Sequence, residues 1–346
     1  MRILITVDPE IPVPPVTYGG IERIVDWLAR ELELRGHTVG IAAHENSTCG
    51  VTEVLKWSVK NSRIFPEGIF AAKELGIFAR EFNPDVIHSF SRIFYLLGTF
   101  FAKYPLIMSY QRHPTQRSIK LANKIFAKRI QFTGCSEYIS QLGRKGGGQW
   151  SCIYNGVEVE KYHFSEKVSH DAPLVFLSRI EPIKGAHLAI KIAKQSSRRL
   201  LLAGNCEKER AGSSYWKNEI EPYLDGKQIQ YIGPVDDIQK NELLKEASAL
   251  LVPVQWNEPF GIVFAEALAC GTPVISCPRG ALPEIIINDF NGYLIRDIDE
   301  GVAAVRKLKN IERKLCRKVA CEKFSSKVLV SKYEELYRKI YHHGNK

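Results

Sequence analysis

Two glutamates eight residues apart stand in an unusual setting. The stretch NEPFGIVFAEALACGTPVI (257–275) begins with Glu258 close to its start and, beyond Asn-Glu-Pro, carries a single charged residue, Glu266, inside an apolar run. If the separation were wholly helical, the two carboxylates would lie about 12 Å apart along the axis. A helix starting near Phe260, Gly261 and Ile262 would set free N–H groups and a positive dipole end between them, which suits a phosphate. A carboxylate on either side can accept hydrogen bonds from hydroxyls, one set on a sugar and the other on a ribose, so the spacing fits an extended nucleotide sugar. The plainer alternative is that Glu266 faces solvent along the helix edge. The residue alone leaves both readings open.

Other groups suited to an anion stand where predicted strands give way to helices. SRIEPIKG puts Arg179 and Lys184 in the loop after the strand APLVFLS (172–178). A planar guanidinium fork and a mobile ammonium suit a diphosphate, although this loop by itself reads as two solvated surface cations. In PPVTYGGIER, Gly19 and Gly20 precede a helix. Adjacent glycines admit a ligand close to the backbone, and an ordinary turn explains the pair equally well. His88 ends the strand-like DVIHSF; a lone histidine is more often structural than catalytic, and only its place at a strand end favours a ligand. Asp236 and Asp237 in YIGPVDD read as helix caps in preference to metal ligands, and no metal site is assigned.

These residues need elements to hold them. Short β-branched runs alternate with helical patterns: RILITV (2–7), a helix over 21–35 stopped by Gly36, then HTVGIAA, DVIHSF, PLIMSY, RIQFTG and WSCIYN. The rhythm restarts at APLVFLS and continues through RRLLLAG, KQIQYIG, SALLVPV and GTPVIS. Alternation of this kind predicts two α/β domains with parallel sheets, their carboxyl-end loops facing a central cleft. The expected division is 1–158, 159–325 and a helical segment 326–346 that could return to the first domain. Pro259 is expected to open the helix that carries Glu266.

Composition narrows the class. A chain of 346 residues, 45% apolar and 25% charged, can build two cores. No apolar run approaches the roughly 20 residues of a membrane span; the longest, near 93–102, is stopped by Lys103. The start reads as a strand and not a signal peptide, which suggests a cytoplasmic protein, and the eight cysteines show no Cys-x-x-Cys or zinc-site spacing and read as free thiols. The net charge is +10, and residues 101–150 hold nine Lys or Arg against one acid, Glu137. In RSIKLANKIFAKRI, Arg117, Lys120, Lys124 and Lys128 form one helical stripe and Ile119, Ala122, Phe126 and Ile130 another. An outer helix of an α/β domain explains this pattern better than an anionic membrane surface, and nucleic acid is weaker still because no binding module accompanies the charge.

Glu258 to Glu266 has the E-P-F-G-x-x-x-x-E form of the E-x7-E motif and resembles the family-4 retaining glycosyltransferases, which share the GT-B architecture of two Rossmann-like domains. Gly19-Gly20, SRIEPIKG, YNGVEVEKY, GTPVIS, RGALPEII and NGYLI are similar to that family in the same order, so the likeness covers nearly the whole chain. The resemblance implies transfer of a sugar from a UDP- or GDP-sugar to a hydroxyl acceptor with retention and without a cofactor or bound metal. It implies that Glu258 holds donor-sugar hydroxyls, Glu266 the ribose, and Arg179 and Lys184 the leaving diphosphate. Gly19 and Gly20 and the helix start at Phe260, Gly261 and Ile262 would complete the donor site, with the segment ending at Val235 at the nucleobase. His88 would orient hydroxyls near the sugar, and Arg112 or His113 in SYQRHP would line the acceptor side, where many relatives have a different segment. Ala281 stands where a glycine is frequent.

The acceptor expected on this basis is a glycan, a lipid-linked molecule or a small molecule. Peripheral contact with an anionic membrane remains open and nucleic acid is not expected. Two alternatives accompany this reading: a nucleotide-sugar 2-epimerase of the same architecture, and a silent carbohydrate- or nucleotide-binding protein.

Overall fold

A computed structural model describes the chain except residues 17–18, 62–64, 207–212 and 345–346. The chain divides into two units, 1–156 with 326–346, and 157–325.

The first unit holds seven strands, β1 (Arg2–Thr6), β2 (Thr38–Ala43), β3 (Glu53–Lys56), β4 (Val86–Ser89), β5 (Leu106–Tyr110), β6 (Ile130–Gly134) and β7 (Gln149–Cys152). They form one parallel sheet in the order β3-β2-β1-β4-β5-β6-β7. Helices α1 (Gly20–Leu34), α2 (Phe65–Phe82), α3 (Gln116–Phe126) and α4 (Glu137–Arg144) connect them. Strands β1, β4 and β5 are buried along nearly their whole length, as continuous apolar runs in a sheet covered on both faces must be. Strand β3 has no counterpart in the sequence pattern: EVLK is short, half-exposed and at the sheet edge, where alternation is weak.

The second unit repeats the plan with β8 (Leu174–Leu177), β9 (Leu200–Ala203), β10 (Ile229–Gly233), β11 (Ala249–Leu251), β12 (Val274–Ser276) and β13 (Gly292–Leu294). Their order is β10-β9-β8-β11-β12-β13, again parallel. The helices are α5 (Ala186–Gln195), the single turn α6 (Ser213–Tyr215), α7 (Asp237–Glu246), α8 (Ile262–Ala269), α9 (Leu282–Ile285), α10 (Ile298–Lys307) and α11 (Arg313–Lys323).

A last helix, α12 (Ser326–Gly344), belongs to the first unit and packs against α1. Tyr333 and Tyr337 on α12 are almost fully buried. The Tyr337 hydroxyl lies 2.7 Å from Nδ1 of His88, and Tyr333 reaches Ser109 at 3.0 Å. On the outer side, Glu334 pairs with Arg35 at 3.1 Å and His37 at 3.2 Å, and these partners together with Arg338 pull its carboxyl down to about 2.

This arrangement corrects the expected role of His88. Its side chain is wholly buried, Nε2 lies 2.6 Å from the Ser109 hydroxyl, and Nδ1 is held by Tyr337. Burial depresses its pKa to about 3, so the ring is neutral and both nitrogens are engaged inside the protein. A residue so placed fastens α12 to β4 and has no nitrogen to offer a substrate. Tyr337→Phe leaves His88 Nδ1 without its partner in a dry site, which is expected to lower unfolding stability by about 1–3 kcal/mol. Urea titration of the variant against the parent checks this, and an unchanged midpoint would show the bond to be dispensable.

Candidate active site

Strand order reverses between β8 and β11 in the second unit, so the loops leaving their carboxyl ends diverge to opposite faces and open a crevice where ligands bind in sheets of this kind. The loop after β8 carries Arg179 and Lys184, and the loop after β11 carries Trp256 and Glu258. The backbone ties them together: Gln255 N–H donates to Ile183 C=O at 2.7 Å. Gly185, at φ 80°, sits against Pro253, where an added Cβ would come within 2.1 Å of the carbonyl oxygen.

Lys184 Nζ lies 2.7 Å from Glu258 Oε2, and Trp256 Nε1–H donates to the same oxygen at 2.8 Å. The ammonium also sits 4.8 Å from the centre of the Trp256 ring. Both charged side chains are nearly buried, 12% and 9% exposed. Oε1 of Glu258 makes no hydrogen bond among the described residues, and is the oxygen left for a hydroxyl. Arg179 differs: 44% exposed, it pairs with Glu181 at 2.7 Å in its own loop.

Glu258 is also fixed through its backbone. Its carbonyl accepts from Ala281 N–H at 2.9 Å, and it forms an isolated parallel bridge with Gly280. At φ 63°, Gly280 lies so close that an added Cβ would meet Glu258 O at 2.2 Å. Ala281 itself is buried in a helical conformation, so its methyl group does not stand in the crevice.

The helix carrying Glu266 starts at Ile262, not at Pro259. Gly261 is its N-cap at φ 83°, a left-handed conformation in which an added Cβ would strike the Phe264 ring at 2.5 Å. Pro259 and Phe260 belong to the approach loop, and Phe260 is buried against Phe324. Glu266 does not face solvent: it is 7% exposed and its Oε1 accepts from Tyr162 OH at 2.7 Å and from Lys240 Nζ at 2.6 Å. Burial pulls Lys240 down, but Glu266 and Asp237 more than offset it and its pKa rises above the ordinary lysine value. Burial and the Glu266 charge push the Tyr162 hydroxyl far up, so it stays a donor. Oε2 of Glu266 carries no hydrogen bond among the described residues.

Asp236 caps α7, accepting from Gln239 N–H at 2.8 Å while Gln239 returns a bond to Asp236 N–H. Asp237 pairs with Lys240 at 3.0 Å. Val235 stands half-exposed just before this cap, after Gly233 at φ 81°. Among the described residues, no group of three or more His, Cys, Asp or Glu is placed to hold a metal ion.

In the first unit the strand order likewise reverses between β1 and β4. Asp8, after β1, accepts from Arg92 N–H at 3.0 Å and lies 3.7 Å from Arg112. Burial, with Glu10 adding to it, raises the Asp8 carboxyl to about 6 against the pull of Arg112 and Arg92. Gly19 abuts Pro15 and Glu22, whose carboxylate is 7% exposed and also raised by burial, and Gly20 begins α1. His113 Nε2 meets the Tyr138 hydroxyl at 3.2 Å. The Tyr95 hydroxyl and both amide atoms of Gln111 are buried without a hydrogen-bond partner among the described residues.

Several of these groups escape a reading of the sequence. Lys240 has only the ordinary i,i+3 pairing with Asp237 to mark it, and Tyr162 and Trp256 look like any loop aromatics. Their importance appears only when a distant carboxylate turns toward them. Tyr95 and Gln111 gave no signal beyond proximity in sequence to strand ends.

Two outcomes follow. Gly280→Ala forces the loop off Glu258 and is expected to cost about 1–3 kcal/mol of stability; thermal denaturation checks it. The Asp8 carboxyl, raised in the folded state, favours folding below pH 3.8 and loses that contribution as pH climbs through about 6. The stability of Asp8→Asn relative to the parent should therefore increase from pH 4 to pH 7, by roughly 1–3 kcal/mol. A difference flat across that range would mean that Asp8 titrates normally.

Comparison with known proteins completes the picture. Residues 158–322 match the family model for glycosyl transferases group 1, and residues 18–161 match that for glycosyltransferase family 4. A glycogen synthase of Mycobacterium tuberculosis (strain H37Rv) is 25% identical over 349 residues, spanning 85% of this chain and 83% of that protein. The fold is shared with AviGT4, a glycosyltransferase involved in avilamycin A biosynthesis, at TM-score 0.72 and 23% identity, with 99% of this chain and 98% of that one covered. It is shared also with Anabaena Alr3699/HepE in complex with UDP-glucose, at TM-score 0.76 and 17% identity over 98% and 100% of the two chains. With both units matched in order, and a GT-B fold of two parallel-sheet domains, the chain is a glycosyltransferase of the group 1 and family 4 type.

Proposed function

We propose that the protein is a retaining glycosyltransferase that moves a sugar from a UDP- or GDP-sugar to a hydroxyl of a glycan, lipid-linked or small-molecule acceptor, without a metal or other cofactor. The observation that carries this reading is the matched treatment of the two glutamates. Each has one oxygen pinned by a lysine and an aromatic donor, Lys184 with Trp256 and Lys240 with Tyr162, and one oxygen left open. A carboxylate held in this way keeps its orientation and accepts hydrogen bonds from hydroxyls on the open side.

In this reading Glu258 takes hydroxyls of the transferred sugar and Glu266 those of the ribose. The start of α8 at Gly261 and Ile262, beside the approach residue Phe260, lies between them and offers backbone N–H groups to the diphosphate. An ammonium has three donors, and Lys184 spends one on Glu258 and keeps two for phosphate oxygens. Arg179, exposed and bound only through one nitrogen to Glu181, can turn to the same anion. Charge grows on the diphosphate as the glycosidic bond breaks, so cations already in place lower the barrier more than they tighten ground-state binding. Val235 would border the base, Gly19 and Gly20 would offer backbone to an anion at the start of α1, and Arg112 and His113 would serve the acceptor. The Anabaena HepE structure of the same fold is a complex with UDP-glucose.

The epimerase alternative draws no support from the family models, both of which describe transferases. No helix among the described residues is long and apolar enough to cross a membrane.

A thermal-shift screen with UDP, GDP and their sugars should find a stabilising nucleotide, about 2.7 kcal/mol at a hundredfold excess over its dissociation constant. Glu258→Ala should lower transfer at least about a hundredfold with the fold intact, and Glu266→Gln should mainly weaken nucleotide binding. NMR of the product should show the donor's anomeric configuration, and chelator should leave the rate unchanged. Saturable nucleotide binding without turnover on any acceptor would favour the silent binding protein instead.

A further inference from the structure

We propose that the amino-terminal edge of the first sheet, along β5 to β7, is a docking surface for an anionic lipid bilayer. The donor chemistry plays no part in this inference. Strands β5, β6 and β7 are adjacent and parallel, so the segments that enter them lie side by side on one edge, opposite the edge where Arg112 and His113 leave β5. Three such segments meet there: Phe100–Pro105, Ala127–Arg129 and Lys145–Gly148.

The first exposes Phe101 at 95% and Phe100 at 43%, their rings 5.1 Å apart. Arg129 joins this segment to the second, donating to the carbonyls of Phe100, at 3.0 Å, and Ala102. Lys128 and Lys120, with Asn123 and the glycine run 146–148, line an open groove of about 480 Å³ between the second segment and the third. The apolar stripe of α3 does not serve as the anchor. Ile119, Ala122, Phe126 and Ile130 are buried in the core, as an outer helix requires, which leaves the cationic side of the helix outward. Lys103, Lys120, Lys124, Lys128 and Lys145 are all exposed, and Glu137, the one acid of residues 101–150, is bound by Arg144.

A solvent-exposed phenylalanine pair in a segment that carries Lys103 and is bonded by Arg129 is the chemistry of an interfacial anchor. The aromatic rings gain by leaving water for the acyl boundary, and the ammonium groups gain at an anionic leaflet, where either contribution alone binds only weakly. A groove bordered by lysines and glycine backbone has room for a phosphate head group. Single-stranded nucleic acid would also draw the lysines and could stack on Phe101, but no nucleic-acid-binding module accompanies the charge.

Sedimentation of the full chain with vesicles tests the surface. The protein should pellet with phosphatidylcholine vesicles containing phosphatidylglycerol and stay in solution with phosphatidylcholine alone. Raising salt to about 1 M, where screening acts within about 3 Å, should release it. Lys120→Glu with Lys124→Glu and Lys128→Glu should abolish pelleting, and Phe101→Ser should weaken it about tenfold. All four sites are exposed, so the melting temperatures should match the parent. Protein that stays in solution with the anionic vesicles, or variants that pellet like the parent, would overturn the proposal; so would tighter binding to a single-stranded oligonucleotide than to those vesicles. Nucleotide binding by the variants is a separate readout, so failure here and failure of the donor assignment can be told apart.

Discussion

A lysine beside each buried glutamate is the constraint around which the second unit is arranged. Apart from Glu266, α8 is built of apolar residues and is buried almost all round. An unpaired carboxylate at its middle would cost several kcal/mol. Lys240 from α7 and Tyr162 from the segment ahead of β8 converge on it, which fixes α7 and that segment against α8. Lys184 does the same for Glu258 across the switch point of the sheet. The pairs hold the loops in place, and the charge they neutralise leaves one oxygen on each acid directed by its partners.

The parallel sheets, the repetition of the α/β plan and the E-x7-E spacing could be read in the chain because they rest on local periodicity and on residues close in sequence. The partners of those acids could not. Tyr162 is 104 positions from Glu266 and Lys184 is 74 from Glu258, and no local pattern records which side chain turns toward which. The start of α8 was misplaced for a related reason. Pro259 is a good first helical residue by local preference, but the close approach of Gly280 to Glu258 holds that stretch as an extended bridge and defers the helix to Ile262.

His88 teaches the same lesson in the other direction. Its position at a strand end suggested chemistry, and a tyrosine 249 positions later turned it into a buried fastening. At the carboxyl edge of the first sheet stand Asp8, Arg112, Tyr95 and Gln111, drawn from loops after three different strands, the last two without a hydrogen-bond partner among the described residues. The basic stripe of α3 lies on the outside of an α/β helix, as the spacing of its apolar residues predicts, while the exposed Phe101 stands outside the periodic segment and so outside that pattern.

The return of α12 to the first unit has a consequence for biogenesis. Chain growth delivers all seven strands of the first sheet, then the whole of the second unit, and only afterwards the helix bearing Tyr333 and Tyr337. Until that helix emerges from the ribosome, His88 and Ser109 lack the hydroxyls that close over them. The part translated first is thus the part completed last, and its nascent form presents an uncovered apolar seam to the cell while the second unit is being made.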